Sequence, residues 1–167
     1  LDEETRKLYE ELRKLLDEQQ NQDSFQDLLE QLDYKEQNLE EELERTLELF
    51  KRMQFDQKLE ETINDLTEME QEQSQLQQET DDKQTNTEEL SDKQEELKND
   101  FQEVKESVDD LREKNQELDN SQMFDDTSEE EQEIDKSMEE SQEQLDNNKR
   151  KQSQKSQQQS IENMQQL

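Results

Sequence analysis

Apolar residues recur along this chain at alternating steps of three and four, and polar residues fill the positions between them. The longest uninterrupted case runs from Leu59 to Leu118. With a at Leu59, Leu66, Gln73, Thr80, Thr87, Gln94, Phe101, Val108 and Asn115, position d falls at Thr62, Met69, Leu76, Lys83, Leu90, Leu97, Val104, Leu111 and Leu118. A sustained repeat of this kind without a frame shift predicts a coiled coil. As one helix the block would be about 90 Å long at 1.5 Å per residue. The residues expected to line a partner interface are Leu59, Leu66, Met69, Leu76, Leu90, Leu97, Phe101, Val104, Val108, Leu111, Asn115 and Leu118.

The seam is uneven. Between Glu70 and Glu89 the only apolar residue is Leu76, and Thr80, Lys83 and Thr87 occupy seam positions. Loose pairing, local bending or contact with a third element is expected there. From Leu90 to Leu118 the seam is strong. Asn115 at a favours a parallel two-stranded register, or is tolerated near a fraying end. In a parallel homodimer Asp100 would face Lys105 and Lys114 would face Asp119, while Lys93 would oppose Lys98. Exposed pairs contribute only about 0.2–1 kcal/mol each, so a homodimer is weakly favoured and a heteromeric partner helix is equally allowed.

The same pattern divides the rest of the chain. Leu1, Leu8, Leu12 and Leu15 share one frame and predict an N-terminal helix over 1–22. Leu29, Leu32, Leu39, Leu43, Phe50 and Met53 follow a second frame, an amphipathic helix over 23–55 that Asp23 or Ser24 can cap. Phe50, Met53 and Phe55 cluster where this frame meets the main heptad block, 56–119. That cluster reads as seam packing with a slip, a bend, a local bundle or a docking point. Residues 120–128 are expected to form a linker or bend, with Ser128 and Glu131 as a capping box for an acidic helix over 129–148. Residues 149–167 form a basic, Gln-rich tail, the segment least able to stay helical alone. No internal repeat of 20 to 50 residues is apparent.

Composition separates an extended helical protein from a globular one. Only 23% of the residues are apolar, 43% are charged and the net charge is −32. Globular domains are roughly 45–50% apolar, so the all-α expectation is an extended coiled coil of long helices with no globular core. Gly and Pro are both absent, so no residue of either type interrupts a helix. The first residue is Leu1 rather than Met, and the chain reads as part of a longer protein.

Chemistry is sparse. Without Cys or His the chain lacks thiolate ligands, cysteine nucleophiles and the commonest general base. Paired carboxylates are everywhere, but a narrow seam offers no dry pocket to shift their pKa values. The run Asp125, Thr127 and Glu129 superficially resembles a calcium loop but lacks the glycine its turn requires. Phosphate loops need glycine as well. Nucleic acid is repelled by the overall charge, although the cluster Lys149, Arg150, Lys151 and Lys155 is suited to an anionic surface. An acidic helix face and a narrow seam disfavour a membrane, and no apolar run is long enough to span one. Ser128 and Ser137 each precede an acidic residue by three positions, a pattern acidophilic kinases prefer.

These heptads resemble those of long coiled-coil scaffold proteins: cytoskeletal rods, ciliary and axonemal linkers, tethers and condensin-like arms. Gln makes up 28 of the 167 residues and Ala none, a bias expected where stop codons are reassigned to glutamine, as in certain ciliates. The resemblance implies a structural scaffold or tether in a large intracellular assembly, cytoskeletal or ciliary, with no cofactor, metal, substrate or enzymatic activity. The alternative is an acidic, partly disordered module that binds basic proteins such as histones.

Overall fold

The computed structural model describes residues 39–167, together with Lys7, Glu10, Leu12 and Arg13. The expected helix over 1–22, apart from those four positions, and the Asp23 or Ser24 cap lie outside the described residues, as do Leu29 and Leu32. Helix α1 spans Leu39–Asp81, α2 Thr87–Gln116, α3 Ser128–Asp146 and α4 Arg150–Met164. No strand occurs among the described residues, and the fold class is all-α.

The 60-residue heptad block is not one helix. It breaks at residues 82–86, inside the stretch where Leu76 is the only apolar residue, and α2 folds back antiparallel on α1. Thr80, Lys83 and Thr87 offered no seam to keep the helix straight, and the local polar groups favour a turn. Asp82 Oδ1 accepts from the Gln84 N–H at 2.9 Å. Asn86 caps α2, its side chain accepting from the Glu88 N–H at 3.2 Å, and Glu88 and Glu89 lie where the helix dipole favours negative charge. A five-residue connection makes this pairing intramolecular, which gives it a large concentration advantage over dimerisation.

The later helices complete an up-down-up-down arrangement in which each neighbours the next and α4 returns to α1. The α3–α4 turn is built on Asn148, whose left-handed backbone (φ 56°) asparagine tolerates. The Lys149 N–H reaches back to the Gln144 carbonyl at 2.6 Å. The tail, the segment least able to stay helical alone, forms α4 where it packs between α1 and α3. The expected Ser128 capping box is not made: Thr127 is the cap, and the Ser128 hydroxyl and N–H both donate to Asp126.

The helices enclose one apolar core of Met69, Leu76, Leu90, Leu97, Phe101, Val104, Val108, Ile134, Met138, Leu145 and Met164. The expectation of an extended coiled coil without a core therefore gives way, among the described residues, to helices laid side by side. At only 15 residues, α4 covers a fraction of the 43-residue α1. Upstream of that overlap, Phe55 meets Phe124 edge-on at 6.3 Å and joins Leu111 and Leu118 in a second cluster. α1 runs through the Phe50–Phe55 frame slip as one helix, with Phe50 and Phe55 both buried.

Candidate functional site

The eleven apolar residues assigned to a partner interface all lie in the two clusters inside this chain. Met69, Leu76, Leu90, Leu97, Phe101, Val104 and Val108 form the main core with Leu66 packed against it; Leu111 and Leu118 belong to the second, with Leu59 beside it. Asn115 makes a local connection. Its Nδ2 donates to the Gln122 carbonyl at 3.0 Å and its Oδ1 accepts from the Gln122 N–H at 2.6 Å. It thus fastens the segment after α2. The four lysines that would meet charges across a homodimer make ion pairs within the chain: Lys93 with Glu79 and Glu89, Lys98 with Glu139, Lys105 with Asp135 and Lys114 with Asp110.

At the centre of the core lies a polar layer to which every helix contributes. Gln73 of α1 and Gln94 of α2 exchange hydrogen bonds at 3.1 and 2.8 Å. Gln94 Oε1 accepts two more, from Ser141 Oγ of α3 at 2.7 Å and from Gln157 Nε2 of α4 at 3.2 Å. Because the Ser141 proton points at Gln94, the 2.9 Å Ser141–Ser153 contact has Ser153 as donor. Gln157 also donates to Thr80 Oγ1, whose own proton goes to the Leu76 carbonyl. A connected network in a low-dielectric interior is costly to disturb, and partners from four helices fix their register together; only Gln157 Oε1 is left without a partner in it. The sequence had placed Gln73, Gln94 and Thr80 at seam positions. It gave no sign of Ser141, Ser153 or Gln157, whose burial depends on how α3 and α4 return.

Charges sort the helices around this layer. From Leu59 to Asp81 α1 carries eight carboxylates and no cation, and α3 carries nine carboxylates and Lys136. The α2 cations face them. Arg112 bridges Glu131 at 2.6 Å and also donates to Thr127, while Lys105 pairs with Asp135 and stands over the Phe101 ring. The hydrogen bond from Lys93 holds the Glu79 carboxyl below its usual pKa and raises that of Lys93. Four residues on from Glu68, Glu72 lines an acidic recess of about 290 Å³ with Glu96 and Asp100. Desolvation, then Glu68, Asp100 and Glu96, raise its pKa. A second, more apolar groove of about 420 Å³ opens where α4 ends, lined by Leu59, Ile63, Leu66, Leu111, Phe124 and Leu167.

Of the two candidate kinase sites, Ser137 is buried and donates to the Ile134 carbonyl, whereas Ser128 is exposed. Among the described residues no group of three or more acidic side chains is placed to hold a metal ion, and no helix is long and apolar enough to cross a membrane. No protein-family model, curated protein or solved structure matches this chain.

Proposed function

We propose that this chain is a structural, non-catalytic scaffold element whose folded helical bundle presents an acidic outer face to basic segments of other proteins in a larger assembly. The observation that supports it is the division of labour between faces. The apolar seam is consumed inside the chain, which leaves carboxylates to meet partners. A negative field of this size sets which surfaces approach and how fast. The cytoskeletal or ciliary setting rests on the heptads and the Gln-rich composition.

Titrating the full chain into fluorescent poly-lysine tests the docking role by anisotropy at rising salt. Saturable binding at low salt that weakens steeply as screening increases is expected. Absence of binding at the lowest salt would refute it.

A further inference from the structure

Helix α4 fits its seat poorly. Its buried face consists of Ser153, Ser156, Gln157 and Ser160, with Ile161 and Met164 as the only apolar contributions. The surfaces it covers are more apolar, with Met69 and Leu76 on α1 and Ile134, Met138 and Leu145 on α3. Among the described residues, four buried side-chain atoms have no hydrogen-bond partner within the protein. Three belong to α4: Gln157 Oε1, Ser160 Oγ and Asn163 Nδ2. The fourth, Glu130 Oε2, is on α3, at the level that the antiparallel Glu133–Gln159 contact brings to the end of α4. Buried polar atoms without partners weaken docking, because water satisfied them in the detached state.

The charge of α4 is opposite to that of its two neighbours. It carries Arg150, Lys151 and Lys155 against Glu162 alone, between two helices with a strong excess of carboxylates. Lys149, Lys151 and Lys155 are exposed and make no ion pair among the described residues. Arg150 ties down the start of the helix by donating to the carbonyls of Thr80, Asp82 and Thr85.

We propose that the seat between α1 and α3 is a docking groove for a basic amphipathic helix of a partner protein, with α4 as its displaceable resident. This deepens the docking role proposed above and rests on it. An incoming helix with the same cationic outer face, but apolar residues in place of Gln157, Ser160 and Asn163, fills the groove without the three unpaired atoms that α4 brings. It must overcome the advantage α4 has through its short tether, an effective concentration of the order of millimolar, so a merely basic peptide does not displace α4.

The test uses a fluorescein-labelled peptide of residues 149–167 carrying Gln157→Leu, Ser160→Ala and Asn163→Leu. The Ser141 and Ser153 hydroxyls are 2.9 Å apart, and the chain has no native cysteine. The full chain with Ser141→Cys and Ser153→Cys can therefore be locked by one disulfide joining α3 to α4. The reduced chain is expected to bind the peptide saturably, the oxidised chain roughly tenfold more weakly or worse, and reductant to restore binding. Equal binding to both forms, or none to the reduced form, overturns the groove.

Poly-lysine titrated into the same two samples reports the outer face. If poly-lysine still binds while the peptide ignores the lock, the groove fails and the docking role stands. If poly-lysine binds neither form, the docking role fails as well. In the unaltered chain, saturating peptide should speed amide exchange across residues 150–164 while α2 is unchanged. Unaltered exchange in α4 would also overturn the proposal.

Discussion

The Glu72 carboxylate lies where two acidic helices converge, and partial desolvation, then the repulsion of Glu68, Asp100 and Glu96, raises its pKa. A folded state that holds a proton more tightly than the unfolded chain loses stability as pH rises through the ordinary carboxylate range to the folded value. Glu79 behaves oppositely. The contribution of its bond to Lys93 is present above the ordinary carboxylate pKa and is lost as pH falls through the lowered one. Glu72→Gln should therefore raise stability at pH 7 by about 0.2–0.5 kcal/mol, the scale of one like-charge i,i+4 pair. Thermal melts should show the gain shrinking on acidification, and a gain independent of pH would contradict this assignment.

The polar layer is the other residue-scale test. Gln94→Leu leaves Gln73, Ser141 and Gln157 short of a partner and should cost about 1–3 kcal/mol. Replacing Gln73, Gln94 and Gln157 together by Leu should recover most of that loss in a denaturant titration while broadening the amide spectrum as register loosens. The heptad reading put Gln73 and Gln94 in the seam from spacing alone. Periodicity gives a residue's face but not the chemistry opposite it, so the hydrogen-bonding network could not be read from one helix.

Among the elements, α4 shows how far local sequence can mislead. Its apolar stripe is thin and its Ser and Gln content high, so it reads as a tail. It is helical because α1 and α3 bury one face and because Arg150 caps the end of α1. Arg150→Ala should destabilise the bundle by about 1–3 kcal/mol, the scale of hydrogen bonds made by a charged group. Arg150→Lys should recover only part, since an ammonium cannot span the same carbonyls as a guanidinium. Denaturant titrations of both variants check this, with loss of protection in amide exchange expected first in α4. In contrast, α2 was legible almost throughout. Its seam from Leu90 to Leu118 is buried as the a/d spacing implies, with Ser91 joining it through a 2.6 Å bond to Asp146.

At the scale of the molecule, helical content was readable from the absence of Gly and Pro and from the heptads, whereas the topology was not. The repeat runs through residues 82–86 in perfect frame, so nothing in its phase marks a reversal. The weak signal was chemical: a seam emptied of apolar residues from Gln77 to Glu89 beside the turn-forming Asp82 and Asn86. Folding back there lets one chain supply both sides of its own seam and leaves an acidic exterior.

Spin labels at Lys58→Cys and Glu117→Cys report the fold-back, by pulsed dipolar distance measurement on labelled chain diluted into unlabelled chain. Packed helices lie about 8–10 Å apart and Phe55 touches the cluster containing Leu118, so a narrow distribution at short distance is expected. A continuous helix would hold the labels about 90 Å apart at 1.5 Å per residue, and absence of the short distance would contradict the fold-back of α2 on α1.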